Sequence, residues 1–230
     1  MGAISFSLDE RLLAVLTREL PLQLFVETGT FQGDTLALAR KFFKKCHSVE
    51  MSPQLHEKAV RRFTGDTGVE IHLSDSPGAL RKLRDQFAST PTLFWLDAHW
   101  CVADDTSGAD SQTPLIEEIQ AIHKLHPDSV VLIDDARLYL CAPPAPHRVS
   151  DWPELDEVAR ALFALSNDHR LVVYNDVFIF YPKRLLSVMR QFSHDTGEDW
   201  LMLVHEARAE RNRQAQRRNK KKWWRRLFKK

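Results

Sequence analysis

The stretch Leu22–Gly33, LQLFVETGTFQG, is an apolar run closed by an acid and a glycine-bearing loop. No charge precedes Glu27 within it, so the run reads as a buried strand. Thr28, Gly29, Thr30 and Gly33 follow, and helix-forming residues begin at Leu36. A strand feeding a glycine loop and then a helix aims free backbone N–H groups at one point. That geometry receives nucleotide-like or carboxylate-bearing ligands. The loop is not a full G-x-G-x-x-G, so its meaning depends on what surrounds it.

Strand and helix alternate on either side. Upstream, Ser7 and Glu10 have the S-x-x-E form of a capping box. Leu12, Leu13, Leu16 and Leu20 then recur at helical spacing until Pro21, so residues 1–20 form an entry helix that should pack on the sheet. Downstream, Cys46–Glu50, Val69–Leu73, Thr92–Leu96 and Ser129–Ile133 read as further strands. Helices are expected over Asp34–Phe43, from Pro53 to about Phe63 behind Ser52, from Pro77, and from about Pro114 to Leu125. A polar loop carrying Asp104, Asp105, Gly108 and Asp110 precedes the last of these. Five alternations of this kind argue for a parallel sheet covered on both faces.

A Pro-rich loop, Ala142–Pro153, and a helix near Glu154–Leu165 come next. Leu171–Tyr174 and Val177–Tyr181 then flank Asn175-Asp176, a two-residue turn that makes a β-hairpin. The expected fold is α/β and Rossmann-like over residues 21–205: a doubly wound, mostly parallel sheet ending in an antiparallel hairpin. Residues 206–230 form a basic tail.

A length of 230 residues with 43% hydrophobic content suits one sizeable domain. The net charge of +1 conceals a division. Arg208–Lys230 hold twelve Lys/Arg against one Glu, about +11, which leaves the remainder near −10. Cys46, Cys101 and Cys141 are scattered without metal-ligand spacing, which suits a reducing compartment. Cys101 is a candidate for redox sensitivity only. The start MGAISFSLDERLL lacks the cationic and apolar segments of a signal peptide, and Phe6 stands where a myristoylation signal needs Ser or Thr. No apolar run has membrane-spanning length. A cytoplasmic protein is expected.

Glu27, Glu50, Asp75, Asp97, Asp134 and Asp135 all fall at the C-terminal ends of expected strands. In an open α/β sheet those ends share one rim, where ligands bind at the switch in strand order. Each acid taken singly could merely cap the helix that follows. Glu50, at the end of the second strand, is placed to accept both hydroxyls of a ribose, which a nicotinamide dinucleotide and S-adenosylmethionine (SAM) share. The closing hairpin and the two-glycine loop with Thr28 and Thr30 favour SAM.

With these residues the chain resembles the class I SAM-dependent methyltransferases. Glu27-Thr28-Gly29-Thr30-Phe31-Gln32-Gly33, Ser48-Val49-Glu50, Ser74-Asp75-Ser76, Leu96-Asp97-Ala98-His99-Trp100 and the hairpin carry the likeness, over roughly Leu22 to Pro182. The resemblance implies that the first loop holds the methionine part of SAM, through Glu27, Thr28, Gly29, Thr30 and Gly33. It implies Glu50 at the ribose, Asp75 and Ser76 at the adenine, and Asp97 beside the cofactor. The arrangement of Asp97 with Asp134-Asp135 looks like the metal-dependent, catechol-type O-methyltransferases. This implies a Mg²⁺ held by Asp97, Asp134 and Asp135 that binds an acceptor hydroxyl. His99 then stands as general base, with Asp97 beside it. Its alternatives are stacking on the adenine or packing under Trp100, and for Asp134 capping a helix. Two features depart from that pattern: Trp100-Cys101-Val102 replaces a lysine base, and Asp135 replaces the usual amide.

Arg137, Tyr139 and the loop 142–153, with His147, Arg148 and Trp152, border the rim and should shape an acceptor pocket. His123 and His126 read as surface residues at a helix end. The tail ends KKKWWRRLFKK, with Trp223, Trp224, Leu227 and Phe228 at i, i+1, i+4 and i+5 on one helical face among cations. Residues 217–230 therefore read as a helix lying on an anionic membrane surface. The same charges neutralise phosphates and the aromatics could stack on bases, so a nucleic-acid arm is the competing reading. The acceptor expected is a small molecule, glycan or lipid-linked hydroxyl. An RNA methyltransferase and a non-catalytic SAM-binding scaffold are the alternatives.

Overall fold

A computed structural model describes residues 8–100 and 111–227. Its centre is β1 (Leu24–Thr28), buried at every residue, as an apolar strand must be when sheet flanks both edges and helices cover both faces. β2 (Lys45–Glu50) and β4 (Thr92–Leu96) pair with β1 in parallel, placing Thr28 opposite Val49 and Leu96. β3 (Val69–Leu73) adds in parallel outside β2, and β5 (Val130–Ile133) in parallel outside β4. β6 (His169–Tyr174) and β7 (Val177–Pro182) form the hairpin, whose second strand lies antiparallel against β5. The order is therefore β3-β2-β1-β4-β5-β7-β6. Asn175 and Asp176 both take positive φ, 53° and 116°, as a two-residue hairpin turn requires.

Alternation along β1 sorts the core into two layers. Leu24 and Val26 join Phe94, Leu96, Val131, Ile133 and Phe178. The same cluster takes in Leu80 and Phe87 of α4 (Ser76–Phe87), Ile119 and Ile122 of α5 (Leu115–Ile122), and Val158 and Leu162 of α6 (Leu155–Leu165). Phe25 points the other way, to Phe43, with ring centroids 5.6 Å apart. α2 (Asp34–Ala39) and α3 (Pro53–Arg62) lie against β2 and β3. α1 (Glu10–Glu19) buries Leu12, Leu13 and Leu16. Each such side chain withdrawn from water contributes about 1.5–3 kcal/mol.

Three boundaries differ from expectation. The cap of α1 is Asp9, whose carboxylate accepts the Arg11 N–H, while Ser7 lies outside the described residues. α2 ends at Ala39 rather than Phe43, where the turn tightens: the Lys41 and Phe42 N–H groups donate to the Leu38 and Ala39 carbonyls, three residues back, at 3.1 and 2.9 Å. α5 stops at Ile122, where His123 takes φ 60°. The polar loop with Asp104, Asp105, Gly108 and Asp110, and Cys101 before it, lie outside the described residues.

The chain divides into two compact units, residues 1–191 and 192–230. α7 (Leu186–Thr196) is followed, in the second unit, by α8 (Trp200–Leu227), a single helix of 28 residues. No helix among the described residues is long and apolar enough to cross a membrane.

Candidate active site

The five parallel strands end on one rim, and the order reverses between β1 and β4. Gly29 stands at that crevice with φ 82°. A Cβ there would lie 2.5 Å from the Asp97 carbonyl oxygen, so only glycine lets the two backbones approach. Gly33, at φ 77°, caps α2, and a Cβ on it would lie 2.9 Å from the Phe63 ring. Below the loop, Glu27 is fully buried. Ser48 Oγ donates to Glu27 Oε1 at 2.6 Å and lies 2.5 Å from Thr30 Oγ1. Oε2 of Glu27 is buried with no hydrogen-bond partner. Burial, helped by the charges of Asp97 and Glu50 and opposed by Ser48, pushes the Glu27 carboxyl up to about 8.

Glu50 pins the loop from the side. Its Oε2 accepts the Phe31 N–H at 2.9 Å and its Oε1 the Ser52 N–H at 2.8 Å. Phe31, aromatic and half exposed, sits at φ 46°, a strained conformation that this bond helps to hold. Asp75 is exposed and caps α4, accepting the Gly78 N–H at 2.7 Å. Ser76 is buried beside it. Thr28 Oγ1 and carbonyl both accept the Asp97 N–H, at 3.2 Å each.

The second cluster is organised by His99. Its Nε2 lies 2.8 Å from Asp135 Oδ2 and its Nδ1 3.3 Å from Asp97 Oδ1, with the side chain only 7% exposed. Burial alone would push this imidazole down. The hydrogen bond to Asp135 and the charges of Asp97, Asp135 and Asp134 outweigh burial and carry His99 up to about 9. Asp135, at φ 54°, is pushed up by burial but held down to about 2 by His99 and Arg137. Arg137 pairs with both Asp135 and Asp176, and its N–H donates to Asp176 Oδ1 at 2.8 Å. Asp97 and Asp134 are raised, first by burial and then by the neighbouring carboxylates.

Asp97, Asp134 and Asp135, the residues expected at Mg²⁺, share the rim with His99 and Arg137. Among the described residues, the one group of His, Cys, Asp or Glu atoms converging within 4.8 Å lies elsewhere, on β2 and β3. The left-handed turn at Asp135 sends its carboxylate to Arg137 and His99. His99 itself occupies the space between Asp97 and Asp135. The His99 imidazole and the Arg137 guanidinium are the groups that contact these carboxylates.

Several residues expected at an acceptor pocket make contacts within the chain. Tyr139 is buried, its hydroxyl 3.1 Å from Thr113 Oγ1. Trp152 is buried and donates to Gln112 Oε1 at 3.0 Å, edge-on to His99 with centroids 5.8 Å apart. His147 packs edge-on to Trp100 and Trp152, and Arg148 pairs with Asp151. Glu118 of α5 was not foreseen. It is fully buried, with Ser76, Thr28, His99 and Asp97 around it, and burial raises it to about 7. Its only sequence signal is an acid falling on the apolar stripe of Leu115, Ile119 and Ile122.

Strand order, hairpin and rim together define the class I SAM-methyltransferase fold. Among solved structures, SMU.1697c of Streptococcus mutans, assigned as a methyltransferase and bound to S-adenosylhomocysteine, is similar over 77% of this chain and 99% of its own (11% identity, TM-score 0.53). A Staphylococcus aureus protein assigned as a caffeoyl-CoA O-methyltransferase matches over 78% of this chain and 85% of its own (12% identity, TM-score 0.53). A spermidine synthase bound to the transition-state analogue AdoDATO matches over 76% and 60% (17% identity, TM-score 0.52). No protein-family model matches the chain, and no curated protein sequence does. Likeness at this identity establishes the fold and leaves the reaction to the site.

Proposed function

We propose that the chain is a SAM-dependent methyltransferase acting on a hydroxyl of a small-molecule, glycan or lipid-linked acceptor. The observation that carries this reading is the buried, unpartnered Oε2 of Glu27 beneath the Gly29 loop. A buried carboxyl with an idle oxygen is destabilising until a donor or cation meets it. SAM brings an ammonium and a sulfonium, and when bound supplies an activated methyl group. Glu27 and the loop from Thr28 to Gly33 would hold its methionine end. Glu50 keeps free lone pairs on both oxygens for ribose hydroxyls. The turn of Asp75 and Ser76 would border the adenine.

His99 is held as an imidazolium by two carboxylates, so it is not the base that removes the acceptor proton. Its charge keeps Asp97 and Asp135 ionised. Asp134, raised to about 8, is the more basic carboxyl of the cluster and the candidate to accept that proton in its ionised form, whose share grows as pH rises through 8. The tail is proposed to seat the enzyme on an anionic membrane surface through residues 217–230. Its continuous helix supports this reading over an extended RNA arm.

Calorimetric titration of SAM at pH 7, in two buffers of different ionisation enthalpy, tests the cofactor. Binding should release up to one proton, because Glu27 is largely protonated before a cation arrives. Glu27→Gln should bind roughly tenfold or more weakly, the loss of one charge-assisted hydrogen bond, and release fewer protons. Absence of SAM binding would sink the reading.

A further inference from the structure

On the opposite side of β2 from β1, three side chains meet that the site above does not use. His47 of β2 lies opposite Glu70 of β3, and His72 stands two residues beyond Glu70 on the same face. His47 Nδ1 is 3.0 Å from His72 Nε2 and 3.4 Å from Glu70 Oε2, and His72 Nε2 is 3.9 Å from Glu70 Oε1. Zinc bonds of about 2.0–2.2 Å to nitrogen and oxygen require tetrahedral ligand separations of roughly 3.3 Å. The observed edges bracket that value, so small rotations would bring the three atoms onto one ion.

We propose that His47, Glu70 and His72 form a binding site for a divalent transition cation of the zinc type, holding edge strand β3 to β2. Two imidazoles and one carboxylate are the donor set such cations prefer over Mg²⁺ or Ca²⁺. His47 is buried, His72 half-buried, and Glu70 largely exposed, so the fourth coordination position opens toward solvent. Burial works against protonation of both rings, which favours the neutral form that ligates. One negative charge therefore faces the ion. Gln86 borders the His47 ring, and Lys45, Lys82 and His56 are the cationic or titratable groups that oppose an ion there.

The test is titration of tag-free, full-length protein with Co²⁺, followed by displacement with Zn²⁺. A visible d–d band of tetrahedral intensity, abolished by Zn²⁺ at micromolar concentration, is expected. His72→Ala and Glu70→Gln should each lower Zn²⁺ affinity at least tenfold, while Asp134→Ala leaves it unchanged. Zn²⁺ should raise Tm in the wild type and not in His72→Ala. His72 and Glu70 are not fully buried, so their variants should fold, and an unchanged far-UV spectrum would establish that. No cobalt band in the wild type, or equal Zn²⁺ affinity in His72→Ala, would overturn the proposal. So would loss of the band in Asp134→Ala, which would place the ion at the rim.

Discussion

An imidazole enclosed by two carboxylates loses hydration but gains a charge-assisted hydrogen bond and a second ion pair, and at His99 the gain wins. The sign of its linkage follows. A folded-state pKa raised from 6.5 to about 9 gives stabilisation that is full below about 6.5 and lost as pH rises through 9. Asp135, held down to about 2, contributes stability that is present above its unfolded value of 3.8 and lost as pH falls through 2. The pair is therefore fully effective between those limits. His99→Gln should cost about 3 kcal/mol near pH 6, with the difference from wild type shrinking toward pH 10. Urea unfolding at a series of pH values measures this, and a penalty that does not vary with pH would contradict the imidazolium. Gly29→Ala makes a sharper steric demand, since the added Cβ meets the Asp97 backbone and the φ is left-handed. It should destabilise by about 1–3 kcal/mol and abolish SAM binding. A calorimetric Kd equal to wild type would show that the loop does not need that close approach.

At the level of elements, α4 shows how one acid can serve two ends. Asp75 accepts the Gly78 N–H, so Asp75→Ala should cost about 1 kcal/mol through the lost cap. Asp75→Asn keeps an acceptor oxygen at the cap and should leave stability nearly unchanged. If Asn also binds SAM like the wild type, Asp75 is a cap and nothing more; weaker binding at equal Tm would give its charge a role at the adenine. The elements themselves were readable because buried parallel strands must be apolar throughout, and Leu24–Thr28, Thr92–Leu96 and Val130–Ile133 are nearly so. Glu27, Gly29 and Glu50 were readable for the same reason, since strand ends fix where a loop must turn. Partner choice was not. Asp135 meets His99 because a left-handed residue directs it there, which no local pattern announces. Glu118 acquires its surroundings from Thr28 and Ser76, each on a different element. His47 meets His72 through the register of β2 on β3, invisible until the strands are aligned.

Across the whole molecule, the division of charge matters more than the sum. Residues 208–230 carry about +11 against about −10 on the rest. An acidic body is repelled by an anionic surface, so the proposed attachment would come from the tail and would be sensitive to salt. Each Lys or Arg near an acidic bilayer contributes on the order of 1 kcal/mol, within a Debye length of about 8 Å at physiological ionic strength. Bulky groups inserted at the headgroups add a part that salt does not screen. Trp223 and Trp224 are placed by sequence to supply it. The intact protein should float with phosphatidylserine-containing vesicles at low salt and only partly detach at high salt. A chain ending at Ala207 should stay in solution under both conditions and keep its affinity for SAM. Replacing Trp223 and Trp224 by Ala should convert partial release into complete release, because charge alone then remains. An RNA arm would behave differently: retention on RNA would fall steeply with salt, and the double-alanine variant would lose stacking without gaining any vesicle dependence. Equal flotation of the intact and shortened chains would remove the tail from any role in attachment.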